Sequence, residues 1–396
     1  MLTTLIFILF LYLIVSLRIS KNNLFSPGFI TSAIWLVCLL SFVFLRHQLP
    51  SLTIQFLGGL FLWTTTFFVF SSIVQETSVH KETYHVLPSR LFRDAYFVIS
   101  LCTFPLLFVF VHNVMTIETE GSLASNLRLA ALGQTKSFTE PFAPFYILIW
   151  KASYLLELMF YSKKNKYRVF ILGGLLISYA AVTMSKAIFM DMFVMTVCLL
   201  YLQKKIKLKH IIIGGLCLLF FLMFFQMLRE VKGSSNKNDF LVLYLLSSMS
   251  AFDTLQPMSS LNWGENVFRV VYAIMKPLKI SDIEPIKPLL PWITKPIQTN
   301  TYTCMYPFFK DFGYWGIALF GSFMGFIFGW LFKKVQSGNI FYIMVFAYFA
   351  SALVLQYVSE LFFTQLAGYV KFVFVLAVPF LASKYKFFYT NTKSNS

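Results

Sequence analysis

Apolar segments alternate with short polar ones along most of this chain, and many of the apolar segments are long enough to cross a lipid bilayer. A helix needs about 20 apolar residues for this, because each residue advances it by about 1.5 Å. The sequence therefore predicts eleven membrane-spanning helices and an all-α polytopic protein that forms a single integral membrane domain over residues 1–396. The predicted spans lie near 2–17, 28–45, 54–74, 95–116, 142–161, 169–184, 187–203, 211–228, 312–332, 340–358 and 369–383.

Composition agrees with this fold class. Hydrophobic residues make up 58% of the chain and charged residues 12%, whereas soluble domains carry about 25% charged residues. The net charge of +17 would favour a nucleic-acid partner in a soluble protein. Here the basic residues concentrate in loops between the apolar segments, so membrane topology accounts for most of the excess and we predict no nucleic-acid partner.

The basic loops all fall on one side of the predicted alternation of helices. They are "RISKNN" (18–23), "SKKNKYR" (162–168), "KKIKLKH" (204–210), "KK" (333–334) and "KYK" (384–386). By the positive-inside rule this side is cytoplasmic. The N-terminus is then periplasmic, the C-terminus cytoplasmic, and two long loops at 117–141 and 229–311 face the periplasm.

The second periplasmic loop has the features of a structured cap over a membrane cavity. Its segments 240–252 and 267–275 carry apolar residues at helical spacing. Seven of the fourteen prolines of the chain fall between Pro257 and Pro307, and such a density breaks helices and stiffens a loop. In the helix that follows, Gly321, Gly325 and Gly329 lie four residues apart, which predicts close packing against another helix.

Ionisable residues inside or beside apolar segments are candidates for function, because lipid disfavours them. They are Lys151, Glu157, Lys186, Asp191, Glu360 and Lys371. Two explanations of Lys186 stay open: an ion pair with Asp191, or a place at the rim of an outward-facing cavity that binds an anionic headgroup. For Lys151 and Lys371 we expect pairing with Glu157 or Glu360.

Three arginines lie in or at the edge of the two periplasmic loops: Arg128, Arg229 and Arg269. The arginine side chain stays charged and binds phosphate through two parallel hydrogen bonds. Three such groups favour an anionic, lipid-linked substrate such as a prenyl diphosphate. The cysteines and histidines show no metal-binding spacing, and no nucleotide-binding loop is found, so we predict neither a metal nor another cofactor.

The segment 300–329, "NTYTCMYPFFKDFGYWGIALFGSFMGFIFG", resembles a pattern of the Wzy family of O-antigen polymerases. The pattern is Asn-x-Tyr-Thr, then Asp-Phe-Gly-x-x-Gly, then a glycine-rich helix. Weaker similarity extends to "SLASNLR", to "SAFD", to Arg229 at a helix end, and to "SKAIF", where relatives often carry Arg in place of Lys186.

The resemblance implies a fold similar to the GT-C-like polymerases and ligases, and a membrane glycosyltransferase of surface-polysaccharide (lipopolysaccharide) biosynthesis. Such an enzyme joins undecaprenyl-diphosphate-linked oligosaccharide repeat units at the periplasmic face of the bacterial inner membrane. Its implied partners are those lipid-linked glycans, membrane lipid and a co-polymerase that regulates chain length. An O-antigen ligase and a polysaccharide flippase or transporter are the alternatives.

The resemblance also implies roles for individual residues. The implied catalytic residues are Arg229, Arg269 and Asp311, and the implied substrate-binding residues are Arg128, Lys186, Asn300, Tyr302, Thr303 and Tyr306. Asp311 would orient an acceptor hydroxyl or brace a basic residue. A second role stays open for it, as the N-cap of the ninth predicted helix.

Overall fold

A computed structural model describes residues 1–45, 49–76, 86–116, 123–131, 143–229, 246–286, 290–295 and 298–394, without the side chains of 125, 143–144, 224–229 and 384–394. Within these residues we find helices, an isolated antiparallel bridge between Ile293 and Thr299, and no β-strand. The described helices are α1 (Leu2–Ile19), α2 (Pro27–Phe44), α3 (Ile54–Glu76), α4 (Arg90–Thr103), α5 (Pro105–Thr116), α6 (Leu123–Ala131), α7 (Ala143–Met159), α8 (Lys166–Val182), α9 (Lys186–Leu202), α10 (Leu208–Arg229), α11 (Ser247–Phe252), α12 (Arg269–Met275), α13 (Tyr306–Gln336), α14 (Ile340–Val354) and α15 (Leu366–Ser394).

Each of the eleven predicted segments is helical in the described residues, so the prediction of an all-α membrane protein is confirmed. In the part of the chain that the structure describes, six helical stretches are long and apolar enough to cross a membrane: Leu2–Ile19, Pro27–Phe44, Ile54–Glu76, Arg90–Thr116, Tyr306–Gln336 and Leu366–Ser383. Shorter helices of 15 to 17 residues, such as α7, α8, α9 and α14, lie at or below the lower limit for a perpendicular crossing. The number of eleven spans stays a prediction.

The chain divides into two compact units. The first unit comprises Met1–Lys81, Ser235–Gly338 and Phe349–Ala367, and the second comprises Glu82–Ser234, Asn339–Tyr348 and Gly368–Ser396. The first unit therefore holds most of the second predicted periplasmic loop, and the second unit holds the first.

The predicted glycine face packs helix α13 against helix α3 in the first unit. A Cβ atom at Gly321 would lie 2.4 Å from Thr66 Oγ1, and one at Gly325 would lie 2.4 Å from the carbonyl oxygen of Phe67. At Gly329 the carbonyl oxygen of Ser71 would be 2.8 Å away. Only glycine lets the two backbones approach this closely, so the prediction of close helix packing is confirmed.

A buried glutamine joins several segments of the first unit. Gln356 is 1% exposed, and its Oε1 accepts hydrogen bonds from Trp63 Nε1 at 2.9 Å and from Trp35 Nε1 at 3.3 Å. Its Nε2 donates to Thr31 Oγ1 at 2.9 Å, and its carbonyl oxygen accepts from Cys304 N at 2.8 Å. The side-chain amide is thus satisfied inside an apolar core, where an unpaired polar group would be costly.

The "SAFD" segment has a structural role in the same unit. Asp253 accepts hydrogen bonds from the backbone amides of Thr53 at 2.9 Å and Phe56 at 3.1 Å, at the start of α3. The carboxylate therefore caps the N-terminus of the long helix that packs on α13.

In the second unit, the predicted partners of the buried charges are wrong. Lys151 on α7 forms an ion pair with Asp191 on α9, rather than with Glu157 or Glu360. Both explanations of Lys186 stay predictions. The ammonium nitrogen of Lys371 lies 4.8 Å from the centre of the Phe145 ring.

Glu157 is 1% exposed and is surrounded by cations and an amide. Its carboxylate lies 3.1 Å from Arg93 Nη2 and 3.6 Å from Arg168 Nη1, and it accepts a hydrogen bond of 2.8 Å from Asn165 Nδ2. These contacts join α7 to α4 and to the start of α8. The buried negative charge of Glu157 is therefore balanced by residues near the predicted cytoplasmic ends of these helices.

Candidate functional site

The Asp-Phe-Gly-x-x-Gly segment lies at a break in α13, which consists of two helical parts on either side of Gly313. The second part agrees with the predicted span 312–332, and the first part, from Tyr306, was not predicted. Gly313 adopts φ 62° and ψ −147° within the helix and kinks it. This conformation is open almost only to glycine. A Cβ atom at Gly316 would lie 2.3 Å from the carbonyl oxygen of Phe308. Backbone geometry thus requires both glycines of the motif.

Asp311 connects α13 to the loop segment 260–267. Its carboxylate accepts from the backbone amides of Asn266 at 3.0 Å and Val267 at 2.9 Å, and from Asn266 Nδ2 and Ser260 Oγ at 2.5 Å each. The alternative role as N-cap of the ninth predicted helix is wrong, because these hydrogen bonds all come from the loop and none comes from a backbone amide of α13 in the described residues. The carboxylate holds the loop instead, and it binds Asn266 rather than the basic residue that was expected. Its role toward an acceptor hydroxyl stays a prediction.

A cavity in the first unit is lined by residues of this loop, of the start of α13 and of the connection between α14 and α15. Its polar lining residues are Asn266, Arg269, Thr303, Tyr306, Ser359, Glu360, Thr364 and Gln365. Three of the residues predicted from the resemblance, Arg269, Thr303 and Tyr306, are therefore brought together. Asp311 lies next to the cavity through its bonds to Asn266.

Thr303 is fully buried, and its hydroxyl oxygen has no hydrogen-bond partner among the described residues. A buried hydroxyl without a partner costs about 1–3 kcal/mol. Because Thr303 lines the cavity, a bound molecule or water that enters there can supply the missing partner. Thr303 is thus a residue of the cavity wall whose hydroxyl has unused hydrogen-bonding capacity among the described residues.

Glu360 is a carboxylate at the wall of the cavity and is only 3% exposed. Its two oxygens accept from the backbone amides of Phe363 and Thr364 at 2.9 Å each, and the amide of Phe362 also stabilises the charged form. Burial nevertheless raises the pKa of Glu360 to about 7, although these amides and Arg269 act in the opposite direction. At neutral pH the side chain is therefore divided between its two protonation states.

Arg269 is the first residue of α12 and is half-buried at the cavity wall. Burial lowers the pKa of the guanidinium, and the charge of Glu360 opposes this change. Arginine begins from so high a pKa that it stays protonated in proteins. The cavity thus combines a permanent positive charge with a titratable carboxylate.

Two tyrosines of the segment 300–329 pack together beside the cavity. The ring centres of Tyr302 and Tyr306 are 4.7 Å apart, and the Tyr302 hydroxyl donates to the carbonyl oxygen of Pro291 at 3.2 Å. Lys310 Nζ lies 3.4 Å from the Tyr306 hydroxyl oxygen. Tyr306 lines the cavity, whereas Tyr302 contacts the Tyr306 ring and does not line the cavity.

The remaining predicted residues are not among the described residues that line this cavity. Asn300 is half-buried and directly follows the bridge at Thr299. Arg128 lies on α6 and Lys186 begins α9, both in the second unit. Arg229 ends α10, and its side chain lies outside the described residues. A shared role of these residues with Arg269 stays a prediction.

Sequence reasoning missed Asn266 and assigned Glu360 to an ion pair with a lysine. The available signal for Glu360 was its position between two apolar segments, where an acidic residue needs an explanation. Among the described residues, no group of three or more His, Cys, Asp or Glu side chains is placed to hold a metal ion.

The chain matches no protein-family model, no curated protein and no solved structure.

Proposed function

We propose that this chain is a membrane glycosyltransferase of the Wzy type, with a GT-C-like fold, and that it joins undecaprenyl-diphosphate-linked oligosaccharide repeat units at the periplasmic face of the bacterial inner membrane. The observation that carries the proposal is the cavity in which Arg269, Thr303, Tyr306 and Glu360 meet. These residues suit a sugar substrate with a charged diphosphate. They supply a permanent cation, a buried unpaired hydroxyl, an aromatic ring and a carboxylate.

Arg269 suits the diphosphate of the donor. Transfer of a glycan from a prenyl diphosphate leaves negative charge on the departing diphosphate, and a guanidinium at a half-buried wall stabilises that charge. No nucleotide sugar is required, because the lipid diphosphate is already an activated leaving group.

The position of the cavity suits a substrate with a polar head and a lipid tail. Tyr306 and Pro307 line the cavity and are also the first residues of α13, one of the candidate membrane spans. A molecule in the cavity would therefore have its sugar among polar loop residues and its prenyl chain near the apolar helix. Tyr306 adds an aromatic ring with a polar hydroxyl to this wall.

A strain that lacks the gene tests the proposed reaction. A polymerase predicts a single repeat unit on the lipid A core in place of a ladder of chain lengths, whereas a bare core indicates a ligase or a flippase. Accumulation of lipid-linked single repeats on the outer face separates the polymerase from a flippase.

Complementation of this strain then tests the site. We expect Arg269→Ala to abolish the ladder, because removal of one transition-state contact of this kind typically costs about 10²–10³ in rate. Lys295→Ala is the matched control, since Lys295 is an exposed cation in the same loop. A normal ladder from Arg269→Ala at normal membrane abundance would remove Arg269 from the mechanism.

A further inference from the structure

We infer that Glu360 is the proton acceptor of the transfer reaction and that it receives the proton of the acceptor sugar hydroxyl. The inference rests on the proposed function and adds to it a residue that the family resemblance did not supply. Its basis is geometric: Glu360 is a buried carboxylate at the cavity wall that also contains Arg269 and the unpaired hydroxyl of Thr303.

The carboxylate is held in one orientation but keeps capacity for a further donor. Three backbone amides, those of residues 362, 363 and 364, bind its two oxygens. An ionised carboxylate has about four acceptor directions, so about one is left for a ligand. A sugar hydroxyl in the cavity is a suitable donor for it.

The groups that surround Glu360 tune its basicity. The titratable and charged groups around it are Arg269 from α12, Cys304 from the segment before α13, and Tyr306 from the first turn of α13. The thiol of Cys304 has its pKa raised well above the ordinary value by burial and stays neutral. Arg269 is thus the charged neighbour that favours the ionised form, and burial opposes it. A base with a pKa near the working pH is effective in proton transfer.

In the proposed reaction step, Glu360 takes up the proton that is released and Arg269 stabilises the charge of the leaving group. The acceptor hydroxyl oxygen forms a bond to the anomeric carbon of the donor sugar, and its proton passes to Glu360. The bond between that carbon and the diphosphate oxygen breaks, and the electron pair leaves with the prenyl diphosphate, whose charge Arg269 stabilises. Glu360 then releases its proton to water when the products leave.

Thr303 is a positioning residue in this scheme. Its hydroxyl oxygen accepts a hydrogen bond from a neighbouring sugar hydroxyl, which satisfies a buried atom that has no partner in the described part of the chain. Thr303→Val keeps the shape of the side chain and removes only this group. We expect the variant to keep the unfolding temperature of the wild type and to show a raised KM for the lipid-linked substrate.

The pH dependence of chain extension tests the role of Glu360. Membranes from the deletion strain supply accumulated lipid-linked repeats, and purified protein is added at pH values from about 5 to about 9. For the wild type we expect the rate to fall on the acid side with a midpoint near the pKa of about 7. Glu360→Gln should lose about 10²–10⁴-fold in rate and show no acid-side fall.

Glu265→Gln is the matched control. Glu265 is also a buried carboxylate of this loop, and it accepts from the amides of Leu261 at 3.1 Å and Asn262 at 3.2 Å, but it does not line the cavity. This variant should keep the acid-side fall of the wild type. An equal loss of rate in both variants, with equal loss of unfolding temperature, would reduce Glu360 to a structural carboxylate.

The remaining outcomes are also decisive. A wild-type protein that extends no lipid-linked repeat contradicts the proposed function itself. An active wild type whose Glu360→Gln variant keeps the rate and the acid-side fall overturns only the role of Glu360. If Glu360→Gln does not accumulate, the pH dependence of the wild-type rate alone tests the inference. A wild-type rate that does not change across this pH range overturns it.

Discussion

Asn266 is bound by Asp311 through both its backbone and its side chain. Asp311 Oδ2 accepts from Asn266 N at 3.0 Å, and Oδ1 accepts from Asn266 Nδ2 at 2.5 Å. Asn266 lines the cavity and lies three residues before Arg269 in the chain. A carboxylate on a candidate membrane helix thus holds the loop that carries the cation of the site.

The first prediction is that Asp311→Asn lowers glycan polymerisation more than it lowers protein abundance. In the variant, the NH₂ group of the new asparagine would replace one carboxylate oxygen. It would then face backbone amides and the Asn266 side-chain amide, which are also donors and cannot bind it. Leaving one such group unpaired costs about 1–3 kcal/mol, and the loop at 260–267 should loosen. The measurement compares ladder intensity with membrane abundance in the deletion strain.

Ser260→Ala is the control for Asp311→Asn, because it removes only one of the donors to the carboxylate. It should leave most of the ladder intact. Normal ladders at normal abundance from Asp311→Asn would show that the loop does not depend on this carboxylate.

The second prediction concerns the three arginines of the predicted periplasmic loops, Arg128, Arg229 and Arg269, which we expect to bind the diphosphates of donor and acceptor. Lysine keeps the positive charge but loses the paired hydrogen bonds of the guanidinium. Arg→Lys should therefore damage polymerisation at each position, and Arg→Ala should damage it at least as much, by about 10²–10³ in rate.

These arginine variants are scored for the ladder and for membrane abundance. Solvated arginines without a role would change stability by no more than ~0.5 kcal/mol on replacement by alanine. Wild-type ladders from all three alanine variants would contradict a shared diphosphate site. A loss confined to Arg269→Ala would restrict the site to the cavity of the first unit.

The third prediction is that Gly325→Ala destabilises the protein. The new Cβ atom would lie 2.4 Å from the carbonyl oxygen of Phe67, and the backbones of α3 and α13 would have to separate. Overpacking of this kind costs about 1–3 kcal/mol, which should lower the thermal unfolding midpoint in detergent. Gly174→Ala on α8 is the matched control, because its Cβ would meet no atom within 4 Å. An unchanged midpoint for Gly325→Ala would disprove the close contact.

The fourth prediction is a pH dependence of stability that originates at Glu360. The pKa of this carboxyl is raised from 4.5 to about 7 by burial. Between these values the folded protein holds a proton that the unfolded chain has lost, so stability falls as pH rises through this window and levels off above it. The largest slope for one group is about 1.4 kcal/mol per pH unit.

Thermal unfolding of wild type and Glu360→Gln at a series of pH values measures this contribution. Other carboxylates titrate in the same range, so the relevant quantity is the difference between the two proteins. The wild type should lose stability relative to the variant as pH rises from 4.5 to about 7. A constant difference across this range would contradict the raised pKa.

The fifth prediction is the topology, with an outside N-terminus and both long loops in the periplasm. In a protein whose native cysteines are replaced, single cysteines at Ser122 and Ser281 should react with a membrane-impermeant reagent in cells with a permeabilised outer membrane. A cysteine at Ser162, in the basic loop before α8, should react only after the inner membrane is opened. Protection of Ser122 or Ser281 would contradict the predicted arrangement.

The sequence by itself determined the helices and the close contact along the glycine face. Both are local properties: a helix follows from a sufficiently long apolar segment, and small residues at every fourth position form one face of it. The eleven predicted segments agree with described helices for this reason. The predicted ninth span agrees with the part of α13 that follows the break at Gly313. The short helical part before it, from Tyr306, was not predicted, because aromatic and polar residues interrupt the apolar pattern there.

Only the tertiary structure decided which polar groups meet. Lys151 pairs with Asp191 and not with the predicted glutamates, and Glu360 lies beside Arg269, which is distant in the chain. The partner of a buried charge depends on which helices and loops pack together, and the apolar pattern carries little of that information. Burial likewise raises the pKa of Glu360, since desolvation depends on every segment that covers the carboxylate.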